Sequence, residues 1–379
     1  IFSQMTEDRI KLIQPLVGEE ELALIDEVLK SGYMTEGPKT KEFESKFAEY
    51  VGAGHGIATT SCTTAMDLSL RALGIGKGHE VIVPDFTYPA TADVVRFVGA
   101  TPILVDVDPE SYNITAEHIR EAYTPQTRCV MPVSLFGNPI DIEPIEDLAE
   151  EKELYLIEDA ACSAGARRGQ RRTGSMVDLT SFSFHPRKVI TTGEGGMITT
   201  NSNELAELAR SIKKFGMTAG AGGVSNFARA GTNYKLSDVL GAIGVVQLSK
   251  IDEIISKRIE LANNYDKLLQ DAKGIIPPKV DEGVRHVYQT YAVSITVDGA
   301  RDRLIGDLRE RNIESQIGTY SLHVQPSFAE VARIGNLETS EMLYKNLLAL
   351  PLSHYMTSED QERVVSTLDE LLGKYQSGG

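Results

Sequence analysis

The chain has 379 residues, of which 41% are hydrophobic and 24% are charged, a composition typical of a globular protein with one large core and a smaller one. Asp and Glu (54) outnumber Lys and Arg (38), so the formal net charge is −16. A chain this acidic repels phosphodiester backbones, and we expect no nucleic-acid partner. No stretch approaches the roughly 18 consecutive apolar residues of a transmembrane helix, so we expect no membrane partner either.

The cysteine pattern argues against disulfides and against zinc. The three cysteines, Cys62, Cys129 and Cys162, are widely spaced, odd in number and without a CxxC pair. A disulfide framework or a structural zinc site needs paired or clustered thiols. We therefore expect free thiols in a reducing cytoplasm and no bound metal.

Short apolar runs alternate with helical patterns through the first half of the chain. The runs are too short for helices and are rich in β-branched and aromatic residues, which indicates buried strands. They cover residues 81–83, 103–105, 129–133, 154–157, 180–184 and 197–200, and helical patterns cover residues 65–73, 116–123 and 142–152. This alternation predicts a large α/β domain with a mostly parallel sheet, which we place at residues 1–248.

The pattern changes near residue 248. Residues 248–271 have the periodicity of one long helix, and the rest predicts a strand pair within 286–297 and helices at 300–312, 340–350 and 358–374. We therefore expect a smaller α+β domain over residues 249–379. The glycine-rich residues 216–223 predict a mobile loop.

Candidate functional residues follow the predicted strands, because ligands of open parallel sheets bind beyond the carboxyl ends of the strands. The first candidate segment, residues 59–64, is rich in hydroxyl side chains and precedes a helical pattern. It predicts either a phosphate-binding helix start or simple N-capping by Ser61 or Thr63.

The second candidate is the pair Glu158 and Asp159 at the end of an apolar strand. Neighbouring strand residues face opposite ways, so one carboxylate could point into a cleft, or both could be structural. The third is Lys188, a few residues beyond another strand. A lone lysine is usually a solvated surface charge, but a lysine desolvated at a cleft has a depressed pKa and becomes a nucleophilic amine.

Together the three segments supply what pyridoxal phosphate needs: a phosphate cradle, an acid for the pyridine nitrogen and a lysine for a Schiff base. The rival enzyme class is a nicotinamide-dependent oxidoreductase. It requires GxGxxG between a strand and a helix, and neither glycine cluster, at residues 52–56 or 193–196, fits that pattern.

Several motifs occur in the same order as in a known family. They are IEDAA, SFSFHPRK, TTGEGGMITTN and TNYKLSD, and the likeness extends from about residue 13 to about residue 371. On these motifs the chain resembles the nucleotide-sugar aminotransferases of the DegT/StrS type, in the aspartate aminotransferase superfamily. The resemblance implies the pyridoxal-phosphate-dependent transferase fold type I, with a mostly parallel central sheet flanked by helices and a smaller C-terminal α+β domain.

The resemblance also implies roles for particular residues. Lys188 corresponds to the lysine that holds the cofactor and moves the proton, and Asp159 to the partner of the pyridine nitrogen. Tyr88 matches an aromatic residue that stacks on the cofactor ring. The positions that match the family's phosphate-binding positions are Ser183, Cys62 and Thr63.

One further match, Asn233, corresponds to an asparagine that reaches the phosphate from the neighbouring subunit. It implies a homodimer with its active sites at the interface. His323, in LHVQP, matches a position near the sugar, so it is either a substrate contact or a structural residue.

Two positions depart from the family pattern. Relatives often have Gln or His where this chain has Cys162, and that side chain bonds the phenolic oxygen of the cofactor; a thiol is a weaker donor. Relatives often have His where this chain has Ser134. Members that have His at the lysine position are dehydratases, so Lys188 favours transamination.

The expected activity is transfer of an amino group from an amino acid, glutamate by resemblance, to a keto group of a nucleotide-linked deoxysugar. Two alternatives stay open at this point. The acceptor could be a cyclitol or another small ketone, or the protein could bind the cofactor or a sugar as a regulator without turnover.

Overall fold

The computed structural model describes residues 9–220 and 224–377. Its helices are α1 Glu19–Ser31, α2 Pro38–Val51, α3 Cys62–Ala72, α4 Ala90–Phe97, α5 Ala116–Ala122, α6 Glu143–Lys152, α7 Asn203–Ile212, α8 Asp238–Ser249, α9 Ile251–Leu268, α10 Ala300–Glu310, α11 Glu338–Asn346 and α12 Ser358–Ser377. Its strands are β1 His55–Thr59, β2 Glu80–Pro84, β3 Phe86–Thr87, β4 Thr101–Val105, β5 Thr127–Val130, β6 Tyr155–Asp159, β7 Arg167–Arg168, β8 Arg171–Arg172, β9 Leu179–Ser183, β10 Gly196–Thr200, β11 Met217–Ala219, β12 Ser225–Phe227, β13 Ile275–Ile276, β14 Val284–Arg285, β15 Tyr291–Ile295, β16 Gln316–Ile317, β17 Tyr320–Ser321 and β18 Leu347–Leu350.

The large unit is built on a sheet with the strand order β1-β10-β9-β6-β5-β2-β4. From β9 to β4 the neighbouring strands are parallel, and β10 is antiparallel to both of its neighbours. The predicted mostly parallel sheet is confirmed, and each of the six apolar runs contains a strand. The prediction missed β1, because Gly56 and His55 interrupt its apolar pattern.

Helices cover both faces of this sheet, because neighbouring side chains of one strand pack against helices on opposite faces. Val81 and Val83 of β2 pack in a core with α3, α4 and α7, whereas Ile82 packs in a second core with α5 and α6. A third core, toward the β1 end, joins Phe182 of β9 to Phe43 and Phe47 of α2. Residues on both faces are buried, as expected for parallel strands between two helical layers.

The small unit contains the antiparallel sheet β13-β15-β18-β16, packed against α9, α10 and α12. The predicted helix over 340–350 is wrong at its end, because α11 stops at Asn346 and residues 347–350 form β18. These four apolar residues are all buried between β15 and β16, where a strand can exchange backbone hydrogen bonds on both sides. The predicted strand pair within 286–297 is also wrong, since β15 pairs with β13 and β18 instead.

The predicted single helix over 248–271 is two helices, α8 and α9, which meet at Lys250. Lys250 has φ −97° and ψ −4°, close enough to helical values that the apolar periodicity continues across the junction. The first turn of α9 packs Ile251 and Ile254 in the large unit, and its second half packs Leu261 and Tyr265 in the small unit. The division at residue 248/249 therefore stays a prediction, with α9 contributing to both cores.

The glycine-rich segment 216–223 is only partly described. Met217–Ala219 and Ser225–Phe227 form an antiparallel hairpin, so the predicted loop is wrong for the first of these stretches, and residues 221–223 lie outside the described residues. None of the helices in the described ranges has the length and apolar character of a membrane span.

Two helical glycines predict opposite responses to the same substitution. A Cβ on Gly241 of α8 would lie 2.7 Å from the Cα and the backbone N of Thr40 in α2, whereas a Cβ on Gly306 of α10 meets nothing within 4 Å. Gly306→Ala should stabilise the protein by about 0.5–1 kcal/mol through helix propensity. Gly241→Ala should destabilise it by about 1–3 kcal/mol, because backbone must move. Thermal midpoints at one protein concentration measure both; equal shifts of the same sign would contradict the close approach of α8 to α2.

Candidate active site

A cleft of about 590 Å³ opens at the carboxyl edge of the large sheet. The ends of β6 and β9, the start of α3 and the small-unit strands β16 and β17 border it. Most of the residues singled out from the sequence line it, namely Cys62, Thr63, Tyr88, Asp159, Cys162, Ser183 and Lys188. The three predicted segments, which are distant in sequence, therefore meet at the carboxyl edge of the large sheet, as expected for the ligand-binding residues of a parallel sheet.

Of the two acids at the end of β6, Asp159 lines the cleft and Glu158 does not. Glu158 is fully buried and accepts a hydrogen bond from the Ser134 hydroxyl. Burial raises the pKa of Glu158 to about 7, and the neighbouring Asp159 charge adds to this. Strand alternation thus gives one carboxylate to the cleft and the other to the interior.

Asp159 is 4% exposed, and its carboxylate is held by two short hydrogen bonds, with the Cys62 thiol as a weaker third donor 3.9 Å from Oδ1. Thr91 Oγ1 donates to Oδ2 at 2.8 Å, and the backbone N–H of Ala161 donates to Oδ1 at 3.1 Å. Burial raises the pKa of Asp159, while these bonds and the charge of Lys188 partly offset the effect. The sequence did not point to Thr91, whose position 68 residues away gives no local signal.

The Lys188 side chain lies beside a thiol. Its Nζ is 3.3 Å from Cys162 Sγ. Burial lowers the pKa of Lys188, but Cys162 and then Asp159 outweigh it, and the pKa of Lys188 lies above its ordinary value. The expected depressed pKa is therefore wrong for this structure, because the Cys162 sulfur and the Asp159 carboxylate lie close to the Lys188 ammonium and favour its charged form. A proton must leave Lys188 before its amine can attack a carbonyl.

The start of α3 combines the two roles that the sequence left open. Ser61 is the N-cap, since its Oγ accepts from the backbone N–H of Thr64 at 3.1 Å. The next residues, Cys62 and Thr63, are the first of the helix, where backbone N–H groups have no intrahelical acceptor and favour an anion. Gly196 of β10 packs against this turn: a Cβ there would lie 2.3 Å from the Ser61 carbonyl oxygen.

Ser183 and Tyr88 lie on two other sides of the cleft. Ser183 ends β9, and its Oγ accepts from the backbone N–H of His185 at 3.4 Å. Tyr88 is 64% exposed, with its ring edge-on to Tyr320 at 6.3 Å between centroids. An exposed aromatic face at the cleft is available for a planar ligand.

Two candidate residues do not line the cleft of their own chain. Asn233 is exposed, and its Oδ1 accepts from Lys235 Nζ at 2.5 Å. His323 is tied to Asp85: its Nδ1 is 2.8 Å from Asp85 Oδ2, and its backbone N–H donates to Asp85 Oδ1 at 2.7 Å. The structure thus places His323 behind the cleft wall and favours the structural alternative for it.

The sequence also missed polar residues of the cleft. Gln316 on β16, Gln289, Glu194 and Arg187 line it. Gln289 and Gln316 lie beyond residue 248, 102 and 129 residues after Arg187, with which each of them forms a hydrogen bond. Only the fold brings them to this edge.

The donor set fits pyridoxal phosphate. A buried carboxylate (Asp159), an amine (Lys188) and a helix start with free N–H groups surround a single cleft. These are the groups that would hold a pyridine nitrogen, an aldehyde carbon and a phosphate.

The chain was compared with known proteins. Residues 15–369 match the model of the DegT/DnrJ/EryC1/StrS aminotransferase family. The chain belongs to this family. It is therefore an aminotransferase with the fold type I architecture and pyridoxal phosphate as its cofactor, and these predictions are confirmed.

Individual relatives are similar over nearly their whole length. A GDP-perosamine synthase of Caulobacter vibrioides is 37% identical over 368 residues, covering 96% of this chain and 98% of the relative. The spore coat polysaccharide biosynthesis protein SpsC of Bacillus subtilis is 34% identical, covering 94% and 96%. The solved PLP form of Spr1654 from Streptococcus pneumoniae superposes with a TM-score of 0.91 at 26% identity, covering 97% and 99%.

The anchoring of His323 gives a stability prediction. Asp85 is fully buried and accepts from Ser321 Oγ at 2.6 Å as well as from two N–H groups of His323. Asp85→Ala leaves these donors without an acceptor and should lower the free energy of unfolding by roughly 3 kcal/mol, with Asp85→Asn intermediate.

The matched control for this prediction is Asp93→Ala, which removes a surface partner of Arg96 and should cost about 0–1 kcal/mol. Denaturant unfolding measures all three variants. A cost for Asp85→Ala no greater than that of the control would show that the buried bonds do not hold the segment.

Proposed function

We propose that this aminotransferase transfers the amino group of glutamate to a keto group of a nucleotide-linked deoxysugar. The observation that carries the proposal is the meeting of Lys188, Asp159 and the start of α3 in one cleft of about 590 Å³. That cleft is open and polar enough for a large acceptor. A relative whose name includes a nucleotide diphosphate, GDP-perosamine synthase, supports the choice of acceptor class.

Each cleft residue has a stated task in this proposal. The Lys188 amine would hold the aldehyde of the cofactor, and as a free amine it would accept and return the proton at the reacting carbon. Asp159 keeps the pyridine nitrogen protonated, and Thr91 and the Ala161 N–H hold that carboxylate in place. When bound, pyridoxal phosphate supplies the electron sink that stabilises the carbanion.

The remaining groups position the cofactor. Cys62, Thr63 and Ser183 would bind the phosphate at the helix start, and the Tyr88 ring would cover the planar ring of the cofactor. Cys162 would contact the phenolic oxygen of the bound cofactor. Its Sγ lies 3.3 Å from Lys188 Nζ, which is the distance expected of a group that contacts the reactive nitrogen.

We further propose a homodimer in the cytoplasm. The start of the chain presents exposed apolar side chains, Leu22 (56%), Leu29 (55%) and Tyr33 (63%), and contiguous exposed apolar side chains are typical of subunit interfaces. Asn233 would then reach the phosphate of the partner's site. The three cysteines are free, which supports a reducing compartment.

The proposed activity predicts a spectroscopic sequence. The purified protein should be yellow, borohydride should fix the chromophore to Lys188, and L-glutamate should bleach it, after which a nucleotide-linked ketosugar should restore the colour. Lys188→Ala should abolish fixation. Asp159→Asn removes the negative charge that would keep the pyridine nitrogen protonated. It should slow the bleaching by about 100-fold or more.

A panel of nucleotide-linked ketosugars, cyclitol ketones and simple keto acids then identifies the acceptor. Recovery with a cyclitol ketone alone would contradict the nucleotide-sugar proposal. A yellow protein that no amino acid bleaches would be a regulator instead of an enzyme.

The partner contribution of Asn233 has a complementation test. Lys188→Ala and Asn233→Ala each damage a site, but a mixed dimer of the two variants contains one intact site if Asn233 acts across the interface. Random mixing of equal amounts should therefore restore about a quarter of the wild-type activity, since half of the dimers are mixed. Activity that stays at the sum of the two separate variants would place Asn233 in its own subunit's chemistry or outside the site.

A further inference from the structure

The cleft contains a cation that the chemistry above does not use. Arg187 directly precedes Lys188, and its side chain lines the cleft. Its Nη1 donates to Gln316 Oε1 at 2.9 Å. Among the described residues, no carboxylate forms an ion pair with it, whereas Arg171, for example, makes two bonds to Glu146.

The backbone of Arg187 is fixed on both sides. Its N–H donates to His185 Nδ1 at 3.2 Å, and its carbonyl accepts from Gln289 Nε2 at 2.8 Å. The bond to Gln316 fixes one edge of the guanidinium against the wall formed by β16. Holding the residue this way removes much of the conformational entropy that a free arginine would lose on binding a ligand.

The hydrogen bond to Gln316 leaves most N–H donors of the Arg187 guanidinium free. Arginine has five N–H donors in a planar fork, and a single amide oxygen uses one of them. A fork of this kind matches the two oxygens of a carboxylate or phosphate. The other charged groups that face this end of the cleft are Lys188, Asp159 and Glu194.

The charge of the protein favours such a cation in the cleft. The net charge is −16, and Asp159 and Glu194 add negative charge inside the cleft. Both substrates of the proposed reaction are anions, because the donor has carboxylates and the acceptor has a diphosphate. An exposed cation in the cleft lowers the electrostatic cost of bringing both anions to this acidic protein.

We propose that Arg187 binds an oxyanion of the substrate, a carboxylate or a phosphate, and that Gln316 orients it for this task. This inference rests on the proposed function. Arg187 is a binding residue that leaves the proton transfer at Lys188 unchanged. The two possible sources of the oxyanion, donor and acceptor, are separated by measuring the two half-reactions apart.

The test uses the full-length holoenzyme and the variants Arg187→Gln, Arg187→Lys and Gln316→Glu. Gln316→Glu places a carboxylate against the Arg187 guanidinium. This variant should occupy the guanidinium while leaving Arg187 in the chain. Arg128→Gln is the control for loss of one positive charge, since Arg128 is exposed and bonds only to carbonyls of its own segment. Bleaching by L-glutamate measures the donor half-reaction. Titration calorimetry with GDP, UDP and dTDP measures the affinity for the diphosphate of the acceptor.

If Arg187 binds the donor, Arg187→Gln and Gln316→Glu should raise the glutamate concentration for half-maximal bleaching about 10- to 100-fold with the limiting rate unchanged. If it binds the acceptor, the same variants should weaken the tightest-bound nucleoside diphosphate by that factor and leave bleaching intact. Arg187→Lys should recover only part of either loss, because an ammonium has no fork.

The proposal is overturned if Arg187→Gln stays within twofold of the Arg128→Gln control in both measurements, or if Gln316→Glu improves binding. The colour of each variant at saturating cofactor shows that its site is loaded. Wild-type protein that glutamate does not bleach would instead refute the proposed function, so the two failures are distinguishable.

Discussion

The structure of the site depends on burying one carboxylate, that of Asp159, at the end of a central parallel strand. A buried ionised carboxylate is costly unless donors and a countercharge surround it. Thr91 and the Ala161 N–H supply the donors, and Lys188 supplies the charge. These requirements fix the first turn of α4, the turn after β6 and the segment after β9 relative to one another. The geometry of the cleft follows from satisfying this single group.

Local patterns in the sequence were sufficient for six of the seven strands of the large sheet, because each of the six contains a continuous apolar run, which β1 lacks. These patterns failed where the apolar periodicity of the sequence does not determine the secondary structure. The apolar residues 347–350 form a strand although they continue a helical periodicity, and Lys250 interrupts a helix without interrupting its apolar face. Both outcomes depend on tertiary partners, β15 and β16 in one case and two separate cores in the other.

The same distinction holds for the site. Lys188 and Asp159 follow strands, so the position rule and the family motifs both identified them. Thr91, Gln316 and Gln289 act through partners 68, 129 and 102 residues away, and nothing near them in sequence marks that role. The pKa of Lys188 shows the limit most clearly. Burial alone predicts a depressed value, but the neighbouring thiol and carboxylate, known only from the fold, reverse the direction.

The segment that runs from β16 to His323 crosses from the small unit to the corner after β2, where Asp85 and β3 bind it. Its residues form one wall of the cleft, yet they are among the last third of the chain to be synthesised. While the ribosome still holds that third, the large sheet can already be complete, but the cleft has only one side. Closure of the cleft around the cofactor is therefore an event of the finished chain: a translation product that stops before β16 has Lys188, Asp159 and the start of α3 but lacks the wall that covers them.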